Sequence, residues 1–155
     1  MVAAALICCL FCGCSNGNLT DISPISKGFS CKFSIADSDL SGQLSVNLEG
    51  DLSLIFNGPD IINGIGIRVK EESVIVEVDG ISERYPRSEV PSDSPALLIY
   101  DALSAAKDFS PTADGDRIIL KGKDCILMLD GYGYITKMEF DGSDTVVYLS
   151  EHSTN

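Results

Sequence analysis

Ser94-Pro-Ala-Leu-Leu-Ile-Tyr-Asp-Ala-Leu-Ser-Ala-Ala-Lys-Asp-Phe109 reads as a helix with an inverted surface. Pro95 fits the first helical position, where a backbone N–H is dispensable, and Asp93 or Ser94 can cap the free amides that follow. Lys107 lies near the other end, where a cation suits the helix dipole. Asp101, Ser104 and Asp108 recur at spacings of three and four and so share one narrow stripe, while Leu97, Leu98, Ile99, Tyr100, Ala102, Leu103, Ala105 and Ala106 occupy the rest. A surface helix normally carries an apolar stripe on a polar cylinder; this one is nearly the reverse. The pattern predicts a helix over residues 94–108 that must be cradled on most of its sides.

The sequence around it supplies the cradle. Phe29, Cys31, Phe33 and Ile35 alternate with Ser30, Lys32 and Ser34, the period-two signature of a strand with one buried face. The same period continues through Leu44, Val46 and Leu48, a Glu49-Gly50-Asp51 turn, and Leu52, Leu54 and Phe56. Ile65, Ile67 and Val69 follow, then a Glu71-Glu72 turn, then Val74, Val76 and Val78 up to Asp79-Gly80, and a short segment through Ile81 and Tyr85. A loop with Pro86, Pro91 and Pro95 leads into the helix. Beyond the helix, Asp114-Gly115-Asp116 opens a second run of hairpins through Ile118–Leu120, Cys125, Leu127 and Leu129, then Met138 and Phe140, then Val147 and Leu149. Asp-Gly recurs in it as a hairpin signal. Successive hairpins with one apolar face form a meander, and that face must be covered. The predicted fold is α+β and mostly antiparallel β: a curved sheet, an open half-barrel, wrapped around one buried helix. Residues 28–150 form a single domain, and the polar tail 151–155 is expected to fray.

The first residues bear on location. Val2 to Cys12 is an uninterrupted apolar run, shorter than the ~17–25 residues of a membrane-spanning helix and of the length of a signal-peptide core. It ends in Leu10-Phe11-Cys12-Gly13-Cys14, which resembles a lipobox, where a small residue precedes a cysteine that receives a diacylglyceryl thioether. Of the four early cysteines only Cys14 follows a glycine. Residues 1–13 are therefore expected to be a lipoprotein signal peptide, Cys14 the lipidated residue, and the polar, turn-rich stretch 14–27 a tether. The expected location is the extracytoplasmic face of the cell membrane, held by the lipid anchor.

All 11 basic and 23 acidic residues lie beyond residue 13, so the formal charge of −12 belongs to the exported part. So acidic a chain repels nucleic acid and anionic headgroups, which excludes nucleic acid as an expected partner. His152 is the sole histidine and lies in the tail, which leaves no frame for a Ser-His-Asp or Cys-His unit. Asp37 with Asp39, or Asp114 with Asp116, could be imagined as hydrolytic carboxylate pairs, but Asp beside Gly and Ser is turn chemistry far more often. No metal site or cofactor is expected, and no catalytic residue. Cys31 and Cys125 both sit within apolar alternations; they read as buried free thiols or, in an oxidising compartment, as a disulfide.

Phe56-Asn-Gly-Pro59-Asp-Ile-Ile-Asn-Gly64-Ile65 is similar to the strand, proline and glycine turn of small Firmicute lipoproteins. The whole arrangement from Phe29 to about Leu149 resembles the LolA/LolB-type lipoprotein-carrier fold that RseB-like sensors share. The resemblance implies a hydrophobic concavity able to hold an acyl chain or a peptide, and no catalysis. Between sheet and helix, Phe29, Phe33, Phe56, Leu98, Leu103, Met138 and Phe140 would line it, or would simply be the core. Ile61 and Ile62, adjacent in the loop between Pro59 and Gly64, cannot both easily turn inward, and mark a partner or membrane contact. The expected function is a lipid-anchored, non-enzymatic domain that binds an apolar ligand or an envelope protein. The alternative is a scaffold or regulatory lipoprotein whose helix fills the concavity, and an envelope hydrolase is a third reading.

Overall fold

The computed structural model describes residues 28–154. The segments expected to be signal peptide and tether, with Cys14 at their junction, lie outside the described residues. Strands β1 (Phe29–Ile35), β2 (Ser41–Val46), β3 (Leu52–Gly58), β4 (Gly66–Val69), β5 (Ser73–Val78) and β6 (Ile81–Pro86) precede helix α1 (Pro95–Ala105). Strands β7 (Ser110–Asp114), β8 (Arg117–Lys121), β9 (Cys125–Leu129), β10 (Ile135–Phe140) and β11 (Val146–Thr154) follow it. Short 3-10 turns lie at Asp60–Ile62, Arg87–Glu89 and Ala106–Asp108.

The strands form one open 11-stranded sheet in the order β6-β5-β4-β3-β2-β1-β11-β10-β9-β8-β7. Every neighbour is antiparallel, and every pair but one is consecutive in the chain. Two meanders, β1–β6 and β7–β11, thus meet along the β1/β11 seam and leave β6 and β7 as the free edges. The helix lies in the connection between those edges, so that connection must cross one face of the sheet from side to side. That route explains the helix's inverted surface: Ala96, Leu97, Ile99, Ala102 and Leu103 are buried, and of its polar stripe Asp101 and Ser104 face solvent. Complete burial of Leu97, Ile99 and Leu103 contributes roughly 1.5–3 kcal/mol each.

Alternation dictated the inner face. In β1 the residues Phe29, Cys31, Phe33 and Ile35 are buried; in β3, Leu52, Leu54 and Phe56; in β9, Cys125, Leu127 and Leu129. These side chains and the helix form one continuous core, in which Phe33 meets Phe56 edge-on at 5.5 Å between ring centroids. The Asp79-Gly80 turn has both residues at positive φ, 51° and 79°, as a two-residue hairpin with right-twisted strands requires.

Several expectations are corrected. The α-helix stops at Ala105 and tightens into a 3-10 turn before extended Phe109. Ser94 occupies the N-cap position, but its side chain makes no capping hydrogen bond, and its Oγ is buried without a partner among the described residues. Ser110–Asp114, ahead of the point where the sequence signals a second meander, is already the edge strand β7. All five of its residues are exposed, so it is held by backbone pairing with β8 and carries no apolar alternation to betray it. Pro111 is tolerated there because an edge strand has one ladder to serve.

The tail expected to fray is instead the end of β11, paired with β1 as far as Phe29↔Thr154. Ser30 and Ser153 share a hydroxyl hydrogen bond of 2.8 Å, and Lys32 Nζ donates to Glu151 at 2.7 Å. Backbone pairing does not need apolar side chains, so polarity alone misleads at such a strand. An irregularity in that ladder sets two residues, Glu151 and His152, against Cys31, and Glu151 takes a positive φ of 52°. This bulge turns His152 toward the inner face, where its ring stacks on Tyr134 at 5.0 Å and lies 6.3 Å from Phe29.

Candidate functional site: the uncovered end of the inner face

Register defines which residues share the inner face beyond the helix. Leu54 pairs with Ile67, Ile67 with Val76 and Val76 with Glu83; Leu52, Val69, Val74 and Tyr85 form the parallel row. One step towards the other end of the strands, the Phe56 carbonyl accepts from Gly64 N–H at 2.8 Å, its own N–H donates to the Ile65 carbonyl at 3.0 Å, and Val78 pairs with Ile81 across the tight turn. Phe56, Ile65, Val78 and Ile81 therefore share the inner side at one end of β3–β6. Their exposure rises outward: Phe56 is buried, Ile65 half-buried, Val78 42% exposed and Ile81 76% exposed. The helix packs over β4, and among the described residues Val78 and Ile81 stay exposed beyond it.

The loop between β3 and β4 ends at the same place. Its 3-10 turn Asp60–Ile62 is closed by hydrogen bonds from Ile62 N–H to the Pro59 carbonyl and from Ile65 N–H to the Ile62 carbonyl, both 3.0 Å. Gly64, at φ 85°, turns the chain back into β4. The two isoleucines part company here: Ile62 packs against the core, and Ile61 is 88% exposed.

The seven residues read as lining a concavity or as plain core fall mostly on the core side. Phe29, Phe33, Phe56, Leu103, Met138 and Phe140 are all core, none more than 8% exposed, and Leu98 is half-buried against them. Hollows of about 270 and 230 Å³ open instead on the outer face. The first lies where Gly66 leaves a gap between Ile55 and Glu77.

Cys31 and Cys125 are both buried and free. They stand on β1 and β9, with β11 and β10 between them, roughly 14 Å at the usual strand spacing and about twice the reach of a disulfide. The pairing weighed for them is not made, because sequence does not reveal that the second meander docks on the first through its last strand. Burial pushes the Cys31 thiol up to about 12. Cys125 is also raised, first by burial and then by the carboxylates of Asp124 and Asp141.

His152, taken for a tail residue, is a polar residue on the inner face: its Nε2 is buried without a partner among the described residues. Among those residues no group of three or more His, Cys, Asp and Glu could hold a metal ion, and no helix is long and apolar enough to cross a membrane. Val78 and Ile81 are not among the site candidates named from the sequence. The signal was available, since a two-residue Asp79-Gly80 turn after a Val74-Val76-Val78 alternation puts Ile81 beside Val78 on the same face.

No family model matches the chain, and no curated protein matches it. Among solved structures it is similar to a LolA superfamily protein of Nitrosomonas europaea, with a TM-score of 0.50 at 13% identity over 88% of this chain and 90% of that one. A second is an uncharacterized conserved protein of Thermus thermophilus, with a TM-score of 0.51 at 8% identity over 84% and 80% of the two chains. A third is the lipoprotein LppX of Mycobacterium tuberculosis, with a TM-score of 0.44 at 15% identity over 86% and 88%. The architecture, a mostly antiparallel open sheet around one helix, is LolA-like.

Proposed function

We propose that this chain is a lipid-anchored, extracytoplasmic, non-enzymatic domain that captures an apolar group of a ligand or envelope partner at the uncovered corner of its inner face. The observation that carries the reading is the outward rise in exposure along Phe56, Ile65, Val78 and Ile81, with exposed Ile61 at the same end of the strands. Aliphatic side chains on the inner face of a sheet belong in a core; left bare at an edge, they favour burial against something else. The LolA-like architecture agrees, since it places a helix across a sheet too wide for the helix to cover. The lipobox-like Phe11-Cys12-Gly13-Cys14 supports attachment at Cys14, with residues 14–27 as the tether.

The scaffold reading draws support from one observation, the burial of Phe29, Phe33, Leu103, Met138 and Phe140 in the core beneath the helix. Capture at the rim is compatible with a filled interior; capture of a chain beneath the helix is not. Fluorescence of an uncharged, polarity-sensitive acyl probe, one with no carboxylate for Asp60, Asp79 and Glu83 to repel, discriminates them. Binding that Ile81→Ser and Val78→Ser abolish supports rim capture, and absence of binding to the wild type supports the scaffold. Mass spectrometry of the membrane fraction tests the anchor, with a diacylated N-terminal Cys14 expected and an unmodified chain retaining Met1 contradicting it.

A further inference from the structure

The apolar corner is ringed by carboxylates. Asp60 begins the 3-10 turn that exposes Ile61, Asp79 forms the turn between Val78 and Ile81, and Glu83 lies on the inner face two residues beyond Ile81. All three are exposed. Glu83 is further fixed in place by the Tyr85 hydroxyl, which donates to its Oε2 at 2.6 Å. The basic residues of this arm do not neutralise them. Arg68 and Arg84 both flank Ile75 on the outer face, and Arg87 is paired with Asp101 of the helix. The corner thus couples bare isoleucine and valine with local negative charge, on a chain whose net charge is −12.

That combination selects among apolar partners. A fatty acid would bring its own carboxylate against Asp60, Asp79 and Glu83, and an anionic bilayer would bring a whole surface of like charge. A cationic amphipathic segment meets both demands, its apolar side lying on Ile61, Val78 and Ile81 and its lysines or arginines reaching the carboxylates around them. We infer that the occupant of this corner is a basic amphipathic peptide segment of a protein partner. The inference rests on the proposed rim site and names its partner class.

The test measures fluorescence anisotropy of a short labelled leucine–lysine amphipathic peptide against the full chain, beside a leucine–glutamate peptide of the same pattern. The leucine–lysine peptide is expected to bind and the glutamate peptide to bind at least about tenfold more weakly, with affinity falling as salt rises. The variant Asp60→Asn, Asp79→Asn, Glu83→Gln should lose about tenfold or more without a change in Tm. A control variant at the far end of the strands, Glu71→Gln, Glu72→Gln, Asp116→Asn, should keep wild-type affinity, which separates a local site from general attraction to an acidic protein. Equal losses in the two variants, or equal binding of the two peptides, overturn the inference. If the acyl probe binds through Val78 and Ile81 while the two peptides do not differ, the partner class is wrong and the rim site stands. If no probe binds, both fall.

Discussion

The same face of one sheet behaves in two ways. Around the β1/β11 seam, inner residues such as Leu54, Leu127 and Val147 are completely buried, and helix residue Ile99 is likewise closed off; at the β5–β6 tip, Val78 and Ile81 stand 42% and 76% exposed. Nothing in residue type separates the two regions, since both are aliphatic and both alternate. The difference is coverage: an 11-residue helix, about 16 Å long, cannot span a sheet of 11 strands, so one edge stays bare. The contrast teaches that a sheet's hydrophobic face is a core only where something is laid on it, and stays exposed where, among the described residues, nothing is.

The contrast can be broken most severely at its covered side. Ile99→Ala removes a fully buried side chain from the middle of the helix and should cost about 2–5 kcal/mol, measured by urea denaturation. A loss below about 1 kcal/mol would mean that the helix is not packed into the core.

A second break uses pH. The Cys31 thiol is raised from its ordinary 9.0 to about 12 by burial, so the folded state holds the neutral form while the unfolded chain ionises first. The stability this contributes is fully present below pH 9 and is lost as pH rises towards 12. Cys31→Ala lacks the titrating group, so the stability advantage of the wild type over that variant should shrink across this window, as followed by denaturation at fixed pH steps. A constant difference would place Cys31 in contact with water.

The strap between the two regions is a smaller target. Arg87, just after β6, pairs with Asp101 and lies 5.0 Å from the Tyr100 ring centroid, which ties the exposed arm to the helix. Asp101 is more than half exposed, so the ion pair is screened, and a double-mutant cycle of Arg87→Ala with Asp101→Asn should give about 1 kcal/mol or less. Ile81→Ser sharpens the comparison from the bare side. It should change stability by no more than about 0.5 kcal/mol while it abolishes acyl-probe binding. A large fall in Tm would move Ile81 into the core.

Much of this contrast could be read from the chain itself, and its limits are instructive. Period-two alternation gave β1, β3 and β9 their buried faces, and the excess of apolar residues in Pro95–Ala105 foretold a helix crossing a sheet. The Asp79-Gly80 turn was equally legible. What escaped was settled by long-range pairing: the β1/β11 seam, which separates Cys31 from Cys125; the polar strand end at Ser150–Thr154; and edge strand β7, whose side chains touch little. Bare and buried valines are the same letter in a sequence: the Asp79-Gly80 turn puts Val78 beside Ile81 on one face, but that this part of the face stays exposed depends on the course of the helix.

Methyl-selective NMR of the isoleucine, leucine, valine and methionine side chains, titrated with an acyl probe and then with the leucine–lysine peptide, tests the central claim most directly. Shifts confined to Ile61, Ile65, Val78 and Ile81 are predicted. Shifts concentrated on Leu98, Leu103 and Met138, with the corner silent, would place the ligand beneath the helix and contradict the account.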